Sequence, residues 1–184
     1  MMKRLQRDTV LLSLINEMRA KGSWCGETHI QKATYLLQEL LKVPLGFEFI
    51  LYKHGPFSFD LSDEITAMRA DSLLQYQPRE PYGPGLFPTE ESQEFLAQYP
   101  KTLKNYANKI QFVAERVGTL GVADLERLAT ALYITFNENG LDVSRAERIT
   151  QLKPHIRIDE ARDAVRNVDA IRRDAASKGL ASCL

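Results

Sequence analysis

Apolar positions recur at three- and four-residue steps along most of the chain, and that rhythm predicts helices. Leu11, Leu14, Ile15 and Met18 make the first stripe, in a helix that follows Arg7, with Asp8 as its N-cap and Gly22 at its stop. The connection GSWCGE leads into THIQKATYLLQELL, where Ile30, Ala33, Leu37 and Leu40 predict a second core-facing helix. Thr28 and Gln31 have capping-box spacing at its start, and Pro44 and Gly46 end it. The rhythm then changes. FEFILY (47–52) is aromatic and β-branched enough for a short strand. His54-Gly55-Pro56 breaks it, and Ser58 is the natural N-cap of a helix whose buried face is Leu61, Ile65 and Met68. Asp60, Asp63 and Glu64 stand in its first turns, where the helix dipole favours negative charge. SLLQYQ (72–77) and LFP (86–88) predict two more strands. PREPYGPG between them holds three prolines and two glycines and predicts a loop. Thr89 starts a helix through Phe95 and Leu96.

The second half predicts helices alone. Leu103, Tyr106, Ile110, Val113 and Val117 form one stripe, stopped at Gly118. Leu125, Leu128, Leu132 and Phe136 form the next, ended by Asn139-Gly140. Ser144 with Glu147 is a second capping box, opening a short helix that Pro154 closes. Ile158 to Lys178 is the last helix, with an apolar line through Ile158, Ala161, Val165, Val168 and Ile171 and an i, i+4 pair of Asp169 with Arg173. The tail GLASCL is expected to fray.

Over residues 8–98 the order is helix, helix, short strand, helix, strand, loop, strand, helix. That is the order of a winged helix-turn-helix, with 78–85 as the wing. The expected fold is mainly α with a small β-hairpin. A winged-helix-like part over 1–99 is followed by a C-terminal helical bundle extension over 100–184, packed on it as one compact unit.

Bulk composition narrows the function classes. The 184 residues suffice for a core without disulfides or metals. No run approaches the roughly 18 apolar residues of a membrane span. MMKRLQRDTV has basic residues but no apolar segment of a secretion signal, and Cys25 and Cys183 have no paired neighbours. A cytoplasmic protein without cofactor or metal is expected. Formal net charge is zero. Residues 1–100 carry 10 Lys/Arg against 13 Asp/Glu, and 101–184 carry 14 against 11, too mild an asymmetry to indicate nucleic acid.

Two stretches carry a family resemblance. IQKATYLLQEL followed by YKHGPFS, a helix and a wing resembles the Panacea-domain group, which is linked to antitoxins and includes the YwgA-like proteins. The matching positions are Gln31, Lys32, Tyr52, Gly55, Pro56 and Ser58. DLERLATALYI and ITQLKPHIRIDEARDAV are similar to segments of YwgA-like proteins, so the resemblance runs from about residue 5 to about residue 175. Ala33-Thr34 and Phe57 depart from the group's usual residues, which bears on any shared contact surface. The resemblance implies a winged-helix-like, non-enzymatic protein that binds a protein partner, and it carries no catalytic residues across.

Candidate chemistry is thin. His54 is a conceivable general base, with Ser58 as the nearest hydroxyl, but helix capping uses the same oxygen without any reaction. Cys25 and His29 lie four apart, and a metal site needs three or four ligands. A buried thiol near Trp24 is the simpler reading, and His155 reads as a turn residue. For DNA binding, the helix over 58–71 sets Asp60, Asp63, Glu64 and Asp71 against Arg69, a net −3 toward a polyanion. The wing's Arg79 is cancelled by Glu80. A protein partner, such as a toxin or regulatory protein, is therefore expected over DNA. The candidate contact surface is Gln31, Lys32, Tyr52, His54, Gly55, Pro56, Ser58, Asp60, Asp63 and Glu64. A basic patch of Arg145, Arg148, Lys153 and Arg157 is a further candidate, and a winged-helix transcription regulator using it is the alternative reading.

Overall fold

A computed structural model of the chain describes residues 2–138 and 143–181. The first helix, α1 (Arg4–Ala20), runs through the core and is covered on several sides. Val10, Leu11, Leu12, Leu14, Ile15 and Met18 are all buried, a wider set than the single stripe of the sequence. The reason is that α1 packs chiefly against four elements. Three of them are α4 (Glu90–Ala97), α5 (Pro100–Val117) and the second helix, α2 (Glu27–Tyr35); the fourth is a strand of the second hairpin. A π-helical turn, Leu36–Leu40, extends α2.

Two small antiparallel sheets follow, each of two strands, where the sequence suggested one hairpin. In the first, β1 (Ile50–Tyr52) pairs with β2 (Gly55–Phe57). Gly55-Pro56 therefore does not simply break a strand: it folds back as the partner, after a Lys53-His54 turn. Helix α3 (Phe59–Ala70) comes next and is capped by Ser58, whose Oγ accepts from the Leu61 N–H at 3.3 Å. In the second sheet, β3 (Leu74–Arg79) pairs with β4 (Tyr82–Pro88). The expected loop at 78–85 is thus mostly strand, turning at Glu80-Pro81. Pro78 sits at a register irregularity between Gln77 and Arg79, where its missing N–H costs no ladder bond.

Thr89 caps α4 as expected. After α5 come α6 (Val122–Asn137), α7 (Arg145–Leu152) and α8 (Ile158–Ser177), with the Ser144–Glu147 capping box in place. Helix α6 packs on α8, α7, α2 and β2. One hydrophobic cluster joins Leu11 and Ile15 to Val113, Leu132 and Val168, so both halves of the chain share a core. The molecule is mainly helical. No helix among the described residues is long and apolar enough to cross a membrane.

Several local expectations are corrected. Asp8 is not a cap: α1 begins one turn earlier, after Lys3, and Asp8 is buried inside it. The Thr28–Gln31 box does not form, because Gly26 is the N-cap of α2 and Gln31 turns to another backbone. Asp169 pairs with Arg145 of α7 through two contacts of 2.9 and 2.7 Å, rather than with Arg173. Ile158 lies on the exposed side of α8. Asn139-Gly140, Cys183 and the last residues of the tail lie outside the described residues.

Candidate functional site

The first hairpin has only three paired positions per strand, so its own ladder is a weak hold. Side chains from α2, α6 and the end of α7 supply the rest. The Gln31 amide donates to the Ser58 carbonyl at 2.9 Å and accepts from the Ser58 N–H at 2.9 Å. A primary amide carries donor and acceptor side by side, so it pairs with backbone as a strand neighbour does. Next along α2, Lys32 is 2% exposed and donates from Nζ to the Pro56 carbonyl at 3.0 Å. Burial lowers the Lys32 pKa to about 8, and the charge of Glu126 works against that fall. Lys153, at the end of α7, donates to the carbonyls of Tyr52 and Lys53. Burial lowers its pKa too.

Gly55 closes the arrangement from below. It has φ +85°, and a Cβ there would lie 3.0 Å from Thr130 Oγ1 and 3.4 Å from the Glu126 carbonyl, both on α6. Only a residue without a side chain takes that conformation at that approach. Glu126, nearly buried, stands between two histidines. Its Oε2 is 3.4 Å from His54 Nδ1 and its Oε1 is 3.0 Å from His155 Nε2.

The clamped hairpin turns an aromatic ledge outward. Tyr52, Phe57 and Phe59 pack edge-on or tilted, with ring centroids 5.1 to 5.9 Å apart. Tyr52 and Phe59 remain 53% and 56% exposed, and Ile50 shares the strand face of Tyr52. Asp60 and Asp63 are exposed at the start of α3, beside Phe59.

Of the ten residues singled out as a contact surface, Tyr52, His54, Asp60 and Asp63 reach solvent. Gln31, Lys32, Gly55, Pro56, Ser58 and Glu64 are buried. Glu64 points inward to Arg4 (2.9 Å) and Arg7, and Asp71 pairs with Arg4 at 2.6 Å. Two of the four acidic residues of 58–71 are therefore held in intramolecular ion pairs, Glu64 buried and Asp71 at the surface. The four basic residues also have internal partners: Arg145 with Asp169, Arg148 with Glu138, Lys153 with the hairpin carbonyls and Arg157 with Asp159. Ser58 Oγ is buried and used as a cap. Cys25 is buried, and burial pushes its thiol up, away from the reactive thiolate. His29 does not join it in a cluster: among the described residues no group of three or more His, Cys, Asp or Glu is placed to hold a metal.

Glu126, Thr130 and Phe59 escaped the sequence reading, and Phe57 entered it only as a departure from the residue usual in the Panacea-domain group. Phe59 had a signal: an aromatic at the first position of a serine-capped helix, off the Leu61–Ile65–Met68 stripe. Glu126 had almost none, since a carboxylate beside an apolar stripe is ordinary on a helix. Neither the models of known protein families nor the curated proteins include a match to this chain.

Proposed function

We propose that this is a non-enzymatic, cytoplasmic protein-interaction module, an antitoxin or adaptor of the Panacea/YwgA-like type with a winged-helix-like N-terminal part. Its contact surface is the aromatic ledge of Ile50, Tyr52, Phe57 and Phe59. Its partner is a protein that offers an apolar segment flanked by lysine or arginine.

One observation carries this reading: two aromatic side chains, each more than half exposed, stand together, Tyr52 on the hairpin and Phe59 at the start of α3, where three buried side chains pin the backbone of 52–58. A rigid aromatic group loses little entropy on binding, and such groups dominate contact energetics. Asp60 and Asp63 border the ledge and complement a basic flank. The resemblance supports the same reading, because Gln31, Lys32, Gly55, Pro56 and Ser58 are the residues that hold the hairpin. The regulator alternative has weaker support. The outward positions of α3 include Asp60, Asp63 and Thr66, while Arg69 is stacked on Tyr76 at 3.6 Å.

The test starts from a pulldown with the intact chain, followed by calorimetry with the purified partner it identifies. Tyr52→Ser with Phe59→Ser is expected to weaken binding at least tenfold while the thermal unfolding midpoint holds. Asp60→Asn with Asp63→Asn is expected to weaken it less and to flatten its salt dependence. Unchanged binding by the aromatic pair, or tight duplex-DNA binding with no protein partner, overturns the proposal.

A further inference from the structure

We propose that a second site, the cleft between the β3–β4 hairpin and the start of α6, binds a nucleotide. The cleft holds about 1050 Å³, at the upper end of small-molecule sites. It lies apart from the aromatic ledge and does not depend on the protein-contact reading.

One wall is aromatic and cationic together. Trp24, Tyr76, Tyr82 and Phe87 line it with Arg19 and Arg79. The Arg19 guanidinium stands 3.3 Å from the Phe87 ring centroid, and that of Arg79 stands 4.8 Å from Trp24 and 5.1 Å from Tyr82. Among the described residues neither arginine forms a salt bridge. Two guanidinium groups therefore border the cleft with ring faces, rather than a carboxylate, as their near neighbours. Arg79 lies against two rings, so its planar guanidinium is held at the cleft wall.

The wall is pre-formed. Trp24 Nε1–H donates to the Gly83 carbonyl at 3.2 Å, and the Leu86 N–H donates to the Cys25 carbonyl at 2.9 Å. Gly85 permits this seam, since a Cβ there would lie 2.6 Å from the Trp24 carbonyl oxygen.

The opposite side suits phosphate. The sixteen-residue helix α6 opens at Gly121, which offers no side-chain acceptor to the first-turn N–H groups. Gly121 and Val122 border the cleft, so those donors and the positive end of the helix dipole are at its edge. Glu27, also in the lining, accepts a hydrogen bond from the Ser62 hydroxyl at 2.6 Å. Stacking rings, unpaired arginines and a helix start in one cleft match a ligand with a planar base at one end and phosphate at the other.

Trp24 is the single tryptophan of the chain, so its fluorescence reports on this cleft alone. The full chain is titrated with ADP, GDP, CDP and UDP, and each titration is repeated by calorimetry. At least one is expected to quench Trp24 and bind, with its nucleoside and pyrophosphate each at least tenfold weaker. Arg79→Ala and Arg19→Ala are each expected to weaken binding at least tenfold, and Arg166→Ala, on the exposed side of α8, to leave it unchanged. If Arg19→Ala fails to fold, Arg79→Ala on the exposed rim carries the test. Binding of none of the four, binding that survives Arg79→Ala, or pyrophosphate binding as tightly as the nucleotide overturns the proposal.

Discussion

Gln31 holds Ser58 by both its backbone groups, with two hydrogen bonds of 2.9 Å in a fully buried setting. Removing the amide leaves the buried Ser58 N–H unpaired, while the Ser58 carbonyl keeps the Ser62 N–H at 3.2 Å. Gln31→Leu is expected to cost about 1–3 kcal/mol, the cost of one orphaned buried group. Gln31→Glu keeps the acceptor for the Ser58 N–H but faces the Ser58 carbonyl with a second acceptor, so it is expected to be no better. Urea unfolding of the three proteins checks this, and a Gln31→Leu midpoint equal to the parent's refutes it.

Gly55→Ala meets two obstacles, the left-handed backbone and the 3.0 Å approach to Thr130 Oγ1. A loss of about 2–3 kcal/mol is expected. Gly83→Ala is the control. A Cβ there meets nothing within 4 Å, and a change of about 0.5 kcal/mol or less is expected. Thermal unfolding of both variants separates the conformational requirement from a general sensitivity to losing a glycine.

Glu126 offsets the buried charge of Lys32, and the pH profile should register it. Burial lowers the folded Lys32 pKa from the usual 10.5 to about 8. Between those values the unfolded chain binds more protons, so this group makes stability rise with pH across that window. Glu126→Gln removes the charge that opposes the shift. The window then opens at lower pH, and stability near neutrality falls by about 1–2 kcal/mol. Unfolding measured from neutral to alkaline pH tests this. A parallel-shifted profile, with no change in where the rise begins, would count against the coupling.

Asp8 behaves in the opposite sense. Burial, followed by the neighbouring Glu64, raises its pKa to about 7. Burial also acts on Glu64, but hydrogen bonds from Arg4 and Arg7 win and hold its carboxyl below the usual range. The folded state thus keeps the Asp8 proton after the unfolded chain has released it. From about pH 4 to about pH 7 this group makes stability fall as pH rises. Asp8→Asn is expected to raise stability at pH ~8 by about 1–3 kcal/mol and to change it little at pH ~4. A variant that is destabilised at both pH values contradicts the assignment.

Helix positions were legible from the chain because their causes are local. Leu11, Leu14, Ile15 and Met18 repeat at the helical period, and Ser58, Thr89 and Ser144 cap within three residues of themselves. The prolines and glycines of 78–85 misled for a related reason. Their local preference is for turns, yet pairing with β3 and the seam to Trp24 and Cys25 draw them into a strand.

The role of the YKHGPFS stretch was decided by partners far along the chain. Gln31 reaches Ser58 across 27 positions, and Lys153 reaches Lys53 across 100. Spacing along a sequence carries no trace of such distances. Only packing α2, α6 and α7 around one core brings the two lysines, the amide and the α6 backbone onto these seven residues. The sequence by itself determined that helices start after Ser58, Thr89 and Ser144, and the apolar stripes of α5 and α6, while it misplaced the starts of α1 and α2. The tertiary structure decided which charges are spent inside, as with Glu64 and Arg145, and which aromatics are left outside, as with Tyr52 and Phe59. Burial is a property of the whole assembly, and neither an ion pair nor an exposed ring can be assigned before its neighbours are in place.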